Sequence, residues 1–211
     1  MDNSLRSVEP LALTRPRNAH RFDAFSLKLQ RRLTLYRRCA LEAWLMLESD
    51  PAVHTFCERP GLVRLDGQRR VVDFWVNFVD REELVILPDP VVMDDARLQL
   101  AVFDTDAPPV RRIEPAELAA ARVWIDNWQR MLPALIATRG LVPPSLLNAI
   151  ERFVVTPQSL LAIEREFSTG DPVLARAAAF GLLHAGRVQA PELHTETLSL
   201  LTRFAAAEAT S

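Results

Sequence analysis

The sequence predicts a mixed α/β protein: a helix and a run of short strands first, then a helical stretch that ends in a small β-hairpin. Three observations predict this. Apolar residues recur at helical spacing between Gln30 and Glu48. Short hydrophobic runs broken by turn residues follow from Val53 to Phe103. Beyond Pro115 the pattern is helical as far as Ala185. Helix, three or four strands, then helix and strand make an α/β or α+β core of about 85 residues.

Taken in order, Met1 to Leu29 has basic residues, turn signals at Pro10 and Pro16 and little periodicity, so it reads as an arm. The helix expected over Gln30–Glu48 carries Leu33, Tyr36, Ala40, Leu41, Trp44, Leu45 and Leu47 as its apolar set. Its first half displays Arg31, Arg32, Arg37 and Arg38, and Ser49, Asp50 and Pro51 end it. Strands are expected at Val53–Cys57 and Gly61–Leu65. Asp66-Gly67 is a hairpin turn signal, and Arg70–Phe78 returns as a strand. Asp80 and Arg81 turn the chain, and Glu83–Leu87 is a further strand stopped by Pro88. Asp94–Ala96 opens a short helix, and Leu98–Phe103 is one more strand.

The segment Thr105–Pro115, with three prolines, is a connector. Helices follow at Ala116–Ile136 (kinked or broken by Pro133), Pro144–Phe153, Pro157–Phe167 and Pro172–Ala185. Asp171 suits the cap of the last helix, Pro172 its first position and Gly186 its stop. Arg187–Ala190 and Ser199–Phe204 read as two short strands around a loop. Helices followed by such a hairpin outline a winged helix. The organisation is a basic arm (1–24), an α/β domain (25–112), a helical connector (113–155) and a winged-helix-like domain (156–211).

The chain has 211 residues and a net charge of −2, which excludes no partner by itself. The distribution is more informative. Residues 1–40 hold nine Lys/Arg against three Asp/Glu, a net of +6, so the remainder carries −8. A positive end suits an anionic partner such as nucleic acid, whereas the acidic balance from Pro157 onward suits protein contact. Cys39 and Cys57 lie 18 apart without a CxxC pattern, which reads as reduced thiols and no zinc site. His20, His54, His184 and His194 lack ligand spacing, and the four tryptophans read as core. No apolar run reaches the roughly 20 residues of a membrane span, and the expectation is a cytoplasmic protein without a membrane partner.

The stretch Val71–Pro90, VVDFWVNFVDREELVILPDP, carries the chemistry in question. Metal-dependent phosphodiester hydrolysis needs two or three carboxylates on Mg²⁺ and a positive group near the scissile phosphate. Glu42 on the helix and Asp73 on the strand after the hairpin could supply two acids. Each also reads as an ordinary solvated or strand-edge residue. Lys28 is the single lysine of the chain.

The motifs run in order through Phe25-Ser26-Leu27-Lys28, Ala40-Leu41-Glu42, Asp50-Pro51-Ala52-Val53, Arg59-Pro60, Asp66-Gly67 and Val72-Asp73-Phe74. On these, residues 25–90 resemble the N-terminal domain of TnsA-type endonucleases, which cut the 5′ ends in heteromeric cut-and-paste transposition. The Asn-centred Ile125-Asp126-Asn127-Trp128 and the winged-helix outline extend the resemblance over most of the chain. It implies a restriction-endonuclease-like core, a mixed sheet flanked by helices. It also implies Glu42 and Asp73 at the metal-binding positions.

The resemblance places the family's third acid and its catalytic lysine at Val85 and Leu87, both hydrocarbons. Lys28 falls in the basic lead-in, where phosphate contact is its expected role, and arginine is a poor substitute for proton transfer. Losing one ligand and the positive group costs roughly a thousandfold in rate or more. Val72, Arg59 and Cys39 depart from the family wording as well. The expectation is a catalytically inactive nuclease fold without a cofactor, Mg²⁺ entering only if Glu42 and Asp73 still hold it. DNA would contact Lys28, Arg31, Arg32, Arg37 and Arg38. By resemblance, a transposase and an AAA+ ATPase would be partners. Two alternatives stand beside it: an active Mg²⁺-dependent endonuclease with an altered third ligand, using Glu82, Glu83 or Asp89, and a DNA-binding scaffold of a defence or regulatory system.

Overall fold

The computed structural model describes residues 9–11, 15, 19–65, 67–88, 102–103 and 108–207. The chain forms two compact units, one of Met1–Glu48 with Ala52–Leu118, the other of Ser49–Pro51 with Ala119–Ser211. The fold is mixed α/β with a mixed sheet and flanking helices.

The first unit opens with an antiparallel pair, β1 (Phe22–Ser26) and β2 (Arg31–Leu35), with Phe25 opposite Arg32. This corrects the expected helix start at Gln30, because α1 spans only Arg38–Ser49. Leu33 and Leu35 are buried while Arg32 is exposed. That alternation of two suits a strand, and β1 supplies the partner a helical reading ignores.

After α1 come β3 (Val53–Glu58), β4 (Leu62–Leu65), β5 (Gln68–Val71), β6 (Phe74–Phe78) and β7 (Glu82–Ile86), then β8 (Val102–Phe103) and β9 (Val110–Arg112). One sheet has the order β3-β6-β7-β9, antiparallel except that β9 runs parallel to β7. A second has the order β5-β4-β8, with β8 parallel to β4. The single strand expected over Arg70–Phe78 is therefore two, on different sheets. The break falls where Val72 N–H donates to Gly61 O (3.0 Å) and Asp73 N–H to Val85 O (2.9 Å), carrying the chain from one sheet to the other.

Both faces of the central strands are covered. Phe74, Trp75 and Val76 are consecutive buried residues of β6, as are Glu83, Leu84, Val85 and Ile86 of β7. Continuous hydrophobic runs of this kind mark strands with no solvated side. Cys57, Val63, Val72, Trp75, Leu84 and Ile86 form one cluster. Phe56 meets Phe74 edge to face at 6.2 Å. Asp66, Asp89, the expected helix at Asp94–Ala96, most of the strand at Leu98–Phe103 and most of the basic arm lie outside the described residues.

From Pro115 the chain is helical, with α2 (Pro115–Ala120), α3 (Arg122–Ala137), α4 (Pro144–Phe153), α5 (Leu160–Phe167) and α6 (Val173–His184). Pro133 lies inside α3 without ending it. The expected start of α5 at Pro157 moves to Leu160, where Ser159 caps the helix by accepting from Ala162 N–H at 3.2 Å. Asp171 accepts from Val173 N–H at 2.9 Å, but the cap of α6 falls on Pro172, one residue later than expected, and the helix starts at Val173. Gly186 has φ +69, and a Cβ there would stand 2.7 Å from Pro51 Cβ, so both backbone and space require glycine.

A small antiparallel sheet closes the second unit: β10 (Gln158–Ser159), β11 (Val188–Gln189) and β12 (Arg203–Ala206), ordered β10-β12-β11. The expected strand at Ser199–Phe204 begins instead at Arg203, because residues 199–202 form a turn closed by Thr202 N–H on Ser199 O at 3.2 Å. Among the described residues no helix is long and apolar enough to cross a membrane.

Candidate functional site

Asp73 stands at the crossover between the two sheets. Its N–H donates to Val85 O, and its carbonyl accepts from Arg59 N–H at 2.8 Å, so the backbone is held from both sides. The side chain is buried, the residue being 8% exposed. Oδ2 accepts the Leu87 N–H at 2.8 Å. Oδ1 is paired with Nη2 of Arg37, the residue just before α1. Arg37 Nη1 donates in turn to Pro88 O at 2.9 Å. One guanidinium thus ties the Asp73 carboxylate to the end of β7. Burial pushes the Asp73 carboxyl above its ordinary range, while the Arg37 charge and the Leu87 N–H pull it down.

Val85 and Leu87 are both buried, at 0% and 2% exposure. Val85 pairs with Phe74 in the sheet register, and Leu87 gives the site only its backbone N–H. Neither offers a group that binds a cation or moves a proton.

Glu42 lies on α1, where its Oε1 accepts from Arg38 Nε at 2.8 Å, a pair four residues apart on one helix. The flanking acids are tied elsewhere. Glu82 accepts from Trp75 Nε1 at 3.1 Å and Asn77 Nδ2 at 3.3 Å, and Glu83 from Arg111 at 3.5 Å. Among the described residues no group of three or more His, Cys, Asp or Glu is arranged to hold a metal ion. Asp73 does meet a cation, and that cation is Arg37.

The five basic residues picked from the sequence do not share a helix face. Lys28 lies in the β1–β2 turn and its Nζ donates to Val53 O at 2.6 Å. Arg31 and Arg32 are neighbours on β2 and so point to opposite sides. Arg31 forms a two-pronged pair with buried Glu58, at 2.7 and 2.5 Å. That pairing raises its already high pKa. Arg32 is exposed. Arg37 serves Asp73, and Arg38 serves Glu42.

Two carboxylates passed over in the sequence are structural. Glu48, fully buried, accepts from Ser26 Oγ (2.6 Å), Leu27 N–H (2.8 Å) and Lys28 N–H (3.1 Å). The Phe25-Ser26-Leu27-Lys28 motif is therefore a turn clasped by the last helical acid. Glu58 holds Arg31. No local pattern announces either role, since the partners stand 20 to 27 residues away. The one hint was at Glu48, which directly follows the apolar run 43–47.

In the second unit, buried Asn127 donates from Nδ2 to Leu193 O (2.9 Å) and Glu196 O (2.8 Å), and accepts Leu198 N–H at 2.8 Å. It pins the loop between β11 and β12. Trp124 Nε1 donates to Ser49 Oγ at 2.8 Å and its ring stacks on His194 at 4.1 Å. The cation of α6, Arg176, is committed to Glu164 at 2.6 Å. Val173 and Leu174 at the start of α6 are exposed, as are Leu200 and Leu201 in the loop before β12.

No protein-family model matches the chain, and no curated protein matches it.

Proposed function

We propose that the chain is a TnsA-like, non-catalytic subunit of a mobile element, a cytoplasmic scaffold that binds DNA and docks a transposase or ATPase partner. The observation that carries the proposal is the fate of Asp73. A carboxylate at a nuclease metal position would face solvent and a divalent cation. Here it is covered, held by Leu87 N–H and neutralised by Arg37, while Val85 and Leu87 offer hydrocarbons beside it. A guanidinium gives the buried charge its counter-ion but cannot polarise a water as a metal does.

The mixed sheet with α1 before it supports a restriction-endonuclease-like core, and α4 to α6 with the small sheet behind them support a winged-helix module. The exposed start of α6 is apolar and its arginine is paired, which favours protein contact over nucleic acid at that module.

The test is incubation of the purified protein, alone and with the products of its neighbouring genes, with transposon-end DNA and Mg²⁺ or Mn²⁺. The expected result is duplex binding without cleavage by this chain. Cleavage that disappears in Asp73→Ala would overturn the proposal in favour of a working endonuclease with an altered ligand set. Neighbouring genes that encode neither transposase nor ATPase would move the assignment to a scaffold of another system.

A further inference from the structure

The β4–β5 hairpin presents a feature that the fold alone does not require. Its register places Arg64 directly opposite Arg69, so both guanidinium groups stand on one face of a two-stranded ribbon. Both are exposed, as are Gly67 and Gln68 at the tip. Neither arginine pairs with a carboxylate of the described residues, in contrast to Arg21, Arg31, Arg37, Arg38, Arg81 and Arg111. Like charges at directly opposed positions repel and weaken a hairpin. The other face accounts for stability, since Val63 and Leu65 pack on the cluster with Cys57 and Trp75. Leu62 and Val71, at the inner end of the arginine face, are buried too. The two arginines thus occupy the outer end of an anchored ribbon.

We infer that this ribbon is the nucleic-acid contact of the first unit, with Arg64 and Arg69 on backbone phosphates of a duplex. The inference rests on the DNA-binding reading above for its partner and relocates the contact from the residues 28–38 to the ribbon. A polyanion with closely spaced charges relieves the mutual repulsion of the pair and bonds both guanidinium forks at once. A two-stranded ribbon also matches the width of a duplex groove. An acidic protein is the poorer fit, because the two arginines are polar and the described tip residues, Gly67 and Gln68, offer no aromatic or aliphatic anchor such as protein interfaces use.

The experiment is fluorescence anisotropy of the full chain on a labelled duplex of arbitrary sequence over a series of salt concentrations. It compares wild type with R64Q/R69Q and with the charge-preserving R64K/R69K. The expected result is about tenfold weaker binding for the glutamine variant and a salt slope shallower by about 1.8, at about 0.9 per phosphate contact. The lysine variant keeps the slope, and circular dichroism reads the same for all three. A glutamine variant with unchanged affinity and slope, in a wild type that does bind, overturns the ribbon assignment and leaves the scaffold reading intact. A wild type without duplex affinity overturns both. Displacement of the duplex by poly-glutamate at equal charge, lost in the glutamine variant, assigns the face to acidic protein and overturns the nucleic-acid partner.

Discussion

Arg37 and Asp73, 36 residues apart in sequence, form an ion pair in which the carboxylate is nearly covered and the guanidinium about four-fifths covered, at 9% and 21% side-chain exposure. The pair is stitched further by Leu87 N–H and Pro88 O, so removing either member leaves different orphans. Arg37→Ala strands a buried carboxylate and should destabilise the fold by about 3 kcal/mol, the low end for a broken buried pair because Arg37 keeps some water contact. Asp73→Asn retains an acceptor for Leu87 N–H and should cost about 1 kcal/mol. Urea unfolding of the two variants measures the ordering. Equal losses would mean that the pair acts as a surface bridge.

The pH dependence of the same group follows from its sign. Burial raises the Asp73 carboxyl above 3.8 in the folded protein despite Arg37, so the folded state takes up this proton more readily than the unfolded chain. Its favourable contribution is present when protonated, below the unfolded value, and is lost as pH rises through the folded one. Asp73→Asn lacks that titration. The stability gap between wild type and Asp73→Asn should therefore shift toward the variant as pH rises from the acid range, below 3.8, toward neutrality. Urea midpoints across that window are the measurement. A shift toward wild type would show that attraction to Arg37 outweighs burial.

Much of the fold was legible because it rests on local pattern. Gly186 stopped a helix, and Gly67, at φ 75, stands between two strands whose register pairs Leu65 with Gln68. The helix α1 was only partly legible. Tyr36 to Leu47 fitted a helical period, but Arg31 to Leu35 also fitted a period of two, and only the distant strand Phe22–Ser26 decides between them. The candidate site was legible at Asp73 and illegible at its partner. An arginine before a helix has many possible uses, and nothing near Arg37 names a carboxylate on another element. The two-residue β10 was missed because Gln158 and Ser159 read as the first turn of the helix expected from Pro157.

Cys57 offers a chemical check on the core of the first unit. Burial pushes its thiol up to about 12, with the Glu58 charge acting in the same direction. At pH 8 the thiolate is then about one part in ten thousand, and the thiolate is the reactive form. Cys39 is half-buried and shifted upward by burial as well. Native protein should react with a disulfide reagent far more slowly than urea-unfolded protein, with Cys57 the slower of the two. Mass spectrometry of the labelled peptides resolves the order, and rapid native labelling at Cys57 would contradict the packing of its cluster.

The Glu48 clasp predicts a sharper contrast between two substitutions. Glu48→Gln keeps acceptor oxygen for one or two of the three donors, whereas Glu48→Ala leaves Ser26 Oγ and two backbone N–H groups facing a void. Buried unsatisfied donors cost about 1–3 kcal/mol each, less where water enters. Glu48→Ala should lose about 3 kcal/mol, and Glu48→Gln about 1. Thermal unfolding gives the ranking, and loss of protection at the Leu27 and Lys28 amides in Glu48→Ala would place the damage at the β1–β2 turn.

Asn127 carries the corresponding role in the second unit, and its consequences reach a loop rather than a core. Its amide makes three bonds to the backbone of residues 193–198, while its own residue is 1% exposed. Those backbone groups belong to the 3₁₀ turn Pro191–His194 and the stretch after it, which α3 also meets through Trp124 stacked on His194. Asn127→Asp keeps the acceptor for Leu198 N–H but turns the amide donor into a buried charge facing two carbonyl oxygens, so it should be worse than Asn127→Ala. The expected losses are about 2 kcal/mol for alanine and more for aspartate. Hydrogen exchange separates this from general destabilisation. The Leu198 amide should lose protection in both substitutions out of proportion to the helical amides of α6, because only the loop has lost its anchor. Uniform loss across the unit would mean that Asn127 supports the core instead.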